Sequence, residues 1–193
     1  MNQNFLLSEL HSMENAKREN RDRVANIVYN NPDLFTELVN ITFWVDDKIS
    51  IKAAWILEWI CTRELTYILP HLDEFTTNLH RVQFDSATRP VAKVCELLAM
   101  DYMSKKTTKT QQFLKELHID AIIEAGFDWL ITPQKIAVRA YTMGALYLFG
   151  LQKDWIHPEL QHIISTKIIH ESKGCKARGK HILALIEKQQ SSL

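Results

Sequence analysis

The stretch Ile49–Ile60, ISIKAAWILEWI, decides the fold. Only Ser50, Lys52 and Glu58 interrupt its apolar residues, so a helix built from it is greasy on nearly every side. Such a helix needs neighbours on most of its faces. Ile136–Phe149, IAVRAYTMGALYLF, has the same character and is broken mainly by Arg139 and Thr142. Other segments carry a single apolar stripe: Leu72, Phe75 and Leu79 in one, and Leu160, Ile163, Ile164 and Ile168 in another. Strict alternation over a strand length occurs nowhere in the chain. Fully buried helices alternating with half-buried ones are what stacked helical hairpins produce. The expected fold is all-α, a short α-solenoid of about ten helices.

Composition agrees. With 46% hydrophobic and 24% charged residues over 193 positions, the chain suits one core-forming unit. Five Gly and five Pro are too few for a sandwich or barrel that turns every few residues. Lys plus Arg and Asp plus Glu are 23 each, so no overall charge marks the chain for a polyanion or a membrane. MNQNFLLSELHS lacks the basic start and apolar run of a signal peptide, and no apolar stretch approaches a membrane span. Cys61, Cys95 and Cys175 show no framework spacing, and the first two sit in apolar runs. The expectation is a cytoplasmic protein with reduced thiols. The glycosylation triplet Asn40-Ile41-Thr42 would then go unused.

The repeat is visible in two recurring features. Pro32-Asp33-Leu34, Pro70-His71-Leu72 and Pro158-Glu159-Leu160 each predict the start of a second helix, because proline at the first helical position loses no hydrogen bond. Upstream of each lies a first helix with a small residue: Ala25, Ala54 and Ala140, with Ala92 and Gly179 repeating the theme. The best internal match aligns Ala54-Trp-Ile-Leu-Glu58 with Ala92-Lys-Val-Cys-Glu96. Small residues at this spacing let helices approach closely.

These features resemble HEAT and armadillo repeats, in which an acid near the start of a first helix precedes a Val-Arg-like pair. Asp47 with Ile51-Lys52 resembles that pattern well, and Asp85 with Arg89 in part; Val138-Arg139 keeps the pair and Arg178 only the base. The resemblance implies a single helical-repeat domain over 1–193. Residues 1–17 would form a capping helix, 18–190 four to five degenerate helix pairs, and 191–193 a tail. The chain also resembles a group of short bacterial HEAT-like proteins in which VDDKISIKAAWILEW and FDWLI recur. Some of these carry the label adenylosuccinate lyase, yet that superfamily's Gly-Ser-Ser-x-Met-Pro-x-Lys-x-Asn loop has no counterpart here.

Catalytic and ligand motifs are scarce. Gly174 to Lys180 matches Gly-x4-Gly-Lys, but His181 stands where a phosphate loop needs a hydroxyl for magnesium, and no strand precedes it. The segment therefore predicts a turn opening a final helix of about 15 residues. The eight histidines include no His-Glu-x-x-His, and His157 and His162 are off a shared helical face. Neither a metal nor any other cofactor is expected. Trp55 and Trp59, four apart, predict a core stripe, and Trp129 and Trp155 predict plugs between repeats. Asp47, Lys52, Arg89 and Arg139 recur at equivalent repeat positions and predict an inter-repeat ladder of charge-assisted hydrogen bonds.

The function expected from this pattern is a non-catalytic scaffold that binds another protein or a peptide. Second helices would present the contact residues opposite their apolar stripes: Glu74, Thr77, Asn78 and Arg81 after Pro70, and His162, Ser165 and Thr166 after Pro158. The alternative is nucleic-acid binding or DNA repair, since HEAT-like alkylpurine DNA glycosylases share the architecture and use a basic groove. Charge is uneven: Asn31 to Ser104 carries a net −5 and Lys105 to Leu193 a net +5. Lys167, Lys173, Lys176, Arg178 and Lys180 are the bases that such a reading would use.

Overall fold

The computed structural model describes residues 3–191, and every regular element among them is helical. The described residues of the first half form α1 (Gln3–His11), α2 (Arg18–Asn30), α3 (Leu34–Thr42), α4 (Ile49–Arg63), α5 (Leu72–Thr77) and α6 (Asp85–Tyr102). They are followed by α7 (Thr110–Phe113), α8 (Glu116–Ile131), α9 (Ile136–Phe149), α10 (Ile156–Thr166) and α11 (Lys173–Gln190). Short 3₁₀ segments occupy Leu65–His71, Leu79–Arg81 and Ile168–His170. The first helices α2, α4, α6, α9 and α11 pack side by side in chain order. The second helices α3, α8 and α10 lie against them as the other layer, with α5 set between α3 and α8. α1 rests on α3 and α4. Residues 192 and 193 of the expected tail lie outside the described residues, as do Met1 and Asn2. No described helix is long and apolar enough to cross a membrane.

The apolar runs explain the layering. α4 and α6 stand between neighbours on both sides, and Ala53, Ala54, Ile56, Leu57, Ile60, Ala92, Val94 and Leu98 are fully buried. Alanine at the contact keeps neighbouring backbones close, and burial of the larger side chains around it supplies about 1.5–3 kcal/mol each. Glycine takes this role elsewhere. A Cβ on Gly126 would stand 3.3 Å from Leu146 Cδ2 across the α8–α9 contact. One on Gly179 would stand 2.9 Å from Ile164 Cγ2 of α10. Trp129 is buried, whereas Trp155 is 56% exposed and stacks on Phe127 with ring centroids 5.6 Å apart.

The second helices start near their prolines, with differences. Pro32 lies two residues before α3, and Pro158 is the third residue of α10, still in the first turn, where a missing N–H has no intrahelical partner. Pro70 lies within the 3₁₀ segment, and α5 begins two residues later. α5 then stops after six residues, because the Asn78 side-chain amide donates to the Glu74 carbonyl (2.8 Å) and takes the acceptor that its own N–H would use. The second layer is therefore thin at its second repeat. The Gly-x4-Gly-Lys segment lies within α11, which Ser172 caps by accepting from the Cys175 N–H at 3.2 Å. A helical backbone cannot wrap a phosphate.

Ala54 has no exposed surface, so Ala54→Leu must overpack the α4 contact. The expected loss is about 1–3 kcal/mol in chemical denaturation. An unchanged midpoint would mean that Ala54 does not set the spacing of the first helices.

Candidate functional site

The outward side of the first layer is a lattice of charges and rings that partner one another. Glu58 on α4 accepts both arms of the Arg89 guanidinium from α6, at 3.0 and 2.6 Å. This fork on a carboxylate is the strong form of ion pair. Glu96, at the matching position of α6, accepts from Lys93 at 2.8 Å and from Arg178 of α11 at 3.2 Å. That second bond spans α9, which lies between. It passes over Gly144, the residue of α9 that corresponds to Glu58 and Glu96. A Cβ there would fall within contact distance of Glu96 Oε1 and 2.8 Å from Arg178 Nη2. Arg178 Nε also donates to the Ala140 carbonyl at 3.3 Å.

Trp55 and Trp59 are half-buried rather than in the core, because their face of α4 is the outer side of the layer, not a helix contact. The guanidinium carbons of Arg21 and Arg63 stand 4.1 and 4.0 Å from the Trp59 ring centre. Its indole N–H donates to Asp22 Oδ1 at 2.8 Å, and Arg63 reaches the same oxygen at 2.8 Å. The indole bond first, with the Arg63 and Arg18 charges after it, holds the Asp22 carboxyl below the ordinary carboxylate value. Tyr141 receives Lys93, whose ammonium lies 4.7 Å from the ring centre.

Asp47, Lys52, Arg89 and Arg139 do not join into one ladder. Asp47 accepts the Ile49 N–H within its own turn (2.9 Å), and Lys52 donates to the His11 carbonyl (3.1 Å). Arg89 meets Glu58 instead. Arg139 is buried and donates to the Leu130 and Thr132 carbonyls at 2.6 and 3.0 Å, closing the C-terminal end of α8. Its Nε stands 2.9 Å from a Glu171 oxygen, close enough for an ion pair, although the N–H is not aimed at it. In the register set by Ala54, Ala92 and Ala140 these bases are not equivalent: Lys52, Arg89 and Arg139 precede the alanine by two, three and one residues, so they leave their helices in different directions.

Two recesses open along the second layer. Between α5 and α8 lies a recess of about 340 Å³, walled by Leu69, Pro70, Leu72 and Phe113, with Asp73, Lys115 and His118 at its polar side. A smaller recess of about 150 Å³ follows along the same junction, lined by Thr76, Leu79, Ala121 and Glu124 among others. His118 is buried; its Nδ1 accepts the Lys115 N–H (3.1 Å), so Nε2 carries the proton and donates to Asp73 Oδ1 (2.7 Å). That bond holds the Asp73 carboxyl below its ordinary value. Phe113, which lines the larger recess, is 46% exposed, and Leu117, one residue before His118, is 57% exposed.

Of the residues picked out on the second helices, Glu74, Thr77 and Arg81 are exposed after Pro70, and His162, Ser165 and Thr166 on α10. Asn78 is buried, holding Glu74 and accepting from Arg81 at 2.7 Å. These residues form two separate groups. Of the C-terminal bases, Lys173, Lys176 and Lys180 are exposed on α11, Lys167 bonds the Ile131 carbonyl, and Arg178 belongs to the Glu96 bridge. Among the described residues no group of three His, Cys, Asp or Glu is placed to hold a metal. Burial pushes the Cys61 and Cys95 thiols far up, away from nucleophilic use. The sequence reading passed over Glu58, Glu96 and Asp22, which are acceptors without a local motif. It also passed over the α8 stripe Glu116, Asp120, Glu124 and Asp128, whose period of four was legible.

Residues 8–186 match the family described as HEAT repeat domain. No curated protein and no solved structure matches the chain.

The passage over Gly144 can be measured. In a double-mutant cycle of Glu96→Gln and Arg178→Gln, the two side chains should couple by about 0.5–3 kcal/mol. In a Gly144→Ala background the coupling should fall within the ~0.3–0.5 kcal/mol of independent sites. Undiminished coupling would show that the bridge does not need the bare backbone.

Asp22 offers a titration. Its carboxyl, followed by NMR, should titrate below the ordinary carboxylate value, and Trp59→Phe should move the midpoint upward. A carboxyl depressed on folding stabilises above its unfolded value and loses that contribution as pH falls through the folded one. The wild-type advantage over Trp59→Phe attributable to this bond should therefore fade at acid pH. A midpoint unmoved by the substitution would leave the indole bond without effect.

Proposed function

Because the chain belongs to the HEAT repeat domain family, we propose that it is a non-catalytic scaffold whose second-helix layer binds another protein or a peptide. HEAT repeats typically mediate protein–protein interaction. The observation that carries the reading is the recess between α5 and α8, whose apolar wall includes the exposed Phe113, with the exposed Leu117 one residue before the lining His118. Large apolar side chains left exposed together at the rim of an apolar recess are what a protein interface uses. The Asp73–His118 pair beside it has no hydroxyl or thiol among the lining residues of that recess to activate. It ties α5 to the start of α8 instead.

The nucleic-acid reading draws on Lys173, Lys176 and Lys180, three exposed bases spaced along α11. Against it, Arg63, Arg89, Lys93 and Arg178 of the first layer are each held by a carboxylate. Phosphates would have to displace those partners.

Affinity capture from a lysate of cells that make the protein, with wild type and with Phe113→Asp/Leu117→Asp as baits, tests the scaffold. Proteins retained by wild type and lost by the variant are expected; identical captures would overturn the proposal. Lys173→Glu/Lys176→Glu/Lys180→Glu tests the other reading without touching the Arg178 bridge. Duplex DNA binding at micromolar affinity or tighter in ~0.15 M salt, lost in that variant, would replace the scaffold with a nucleic-acid binder.

A further inference from the structure

We propose that the α5–α8 groove takes a basic amphipathic segment of a partner protein, in which Lys or Arg residues flank apolar anchors. This inference rests on the scaffold reading and names the chemistry of its partner. Three features of the groove converge on it.

The first is the apolar floor and rim. Leu69 and Leu72 are buried in the lining of the groove and Phe113 lines it while 46% exposed, so a large apolar side chain of a partner gains contact with both walls; Leu117, one residue before the lining His118, is exposed as well. The second is the charge beside the rim. Every fourth residue on the exposed face of α8 is an acid: Glu116, Asp120, Glu124 and Asp128. Lys153 of the next repeat pairs with Glu116 and, at 3.0 Å, with Asp120. Glu124 and Asp128 have no ion pair among the described residues. Asp73 lies on the other wall, and Lys115 is the only base lining the larger recess. Glu116 and Asp120 are engaged by Lys153 and Asp73 by His118, so Glu124 and Asp128 are the carboxylates that a basic segment would pair with and an acidic one would be repelled by.

The third feature is length. The 16 residues of α8 give a wall of about 24 Å, enough for several turns of a helix laid along it. Such a helix would set apolar residues at i, i+3, i+4 and i+7 into the groove and its bases toward the acids. A second copy of this chain fits less well. Its basic helix α11 presents Lys173, Lys176 and Lys180, but the exposed apolar residues among them are Ala177 and Ala184, too small to fill the groove. Nucleic acid is excluded from this face by the same carboxylates.

The test uses the full chain and two labelled synthetic peptides, LKKLLKLLKKLLKL and its counterpart with Glu in place of Lys, followed by fluorescence anisotropy at ~0.15 M salt. The Lys peptide should bind with micromolar affinity or better, and the Glu peptide at least about tenfold more weakly. Glu124→Lys/Asp128→Lys should weaken the Lys peptide about tenfold, and Phe113→Ala should weaken it as well. All of these positions are exposed, and circular dichroism checks that the variants fold. Equal affinity for both peptides, or no effect of the charge reversal, overturns the proposal. If neither peptide binds while lysate capture still depends on Phe113 and Leu117, the basic partner falls and the scaffold stands. If capture is also indifferent to those residues, both fall. Self-association that the charge reversal abolishes would make a second copy the occupant and overturn the inference too.

Discussion

The close approach of neighbouring first helices is the constraint on which the rest of this structure depends. Ala53, Ala54 and Ala92 are fully buried at these contacts, and Gly144 leaves α9 bare where its neighbours reach across it. Short spacing has two effects. It lets the larger residues around each small one interlock, where most of the burial energy lies. It also brings carboxylates and guanidiniums on separate helices within hydrogen-bond reach, as with Glu58 and Arg89. Leucine at the same positions would push the helices apart and separate those pairs.

The charged groups of the first layer follow from that spacing. Glu58 finds Arg89 on the next helix, whereas Glu96 finds no equivalent on α9, where Ala137 stands at the position matching Arg89. Its partner comes from one helix farther on, Arg178, and the bond locks three helices together. Arg139 does a related task inside the protein by closing the carbonyl end of α8. Each of these groups is engaged internally, so the bases that the first layer presents to a polyanion include the exposed Lys173, Lys176 and Lys180 of α11.

The second layer differs because its second repeat is short. α5 is six residues long between 3₁₀ segments at Leu65–His71 and Leu79–Arg81; the larger recess beside α8 lies at its start, against Leu69, Pro70 and Leu72, and the smaller one at its end, against Thr76 and Leu79. Where a solenoid is regular its surface is closed by its own neighbours. Where one element is cut short, apolar walls are left uncovered, and a binding surface can form without loss of the core.

By itself the sequence determined the helical class, the layering and the place of the close contacts. ISIKAAWILEWI cannot be anything but a covered helix, and Ala54 and Ala92 mark its contacts, because apolar periodicity and side-chain size are local properties. The stripe of acids on α8 was equally legible. Tertiary structure alone decided which charges meet. Asp47, Lys52, Arg89 and Arg139 lie near the starts of first helices but not in one register, and each takes its partner from a different place, one being Glu58 and others backbone carbonyls. It also decided that Trp59 lies at the surface between arginines, that Asn78 turns inward, and that the Asp73–His118 pair closes over a recess. Repeat periodicity fixes the direction in which a side chain leaves its helix. Its partner depends on the distance and rotation between helices far apart in the chain, 82 residues for Glu96 and Arg178, and on the side chain missing at Gly144 between them.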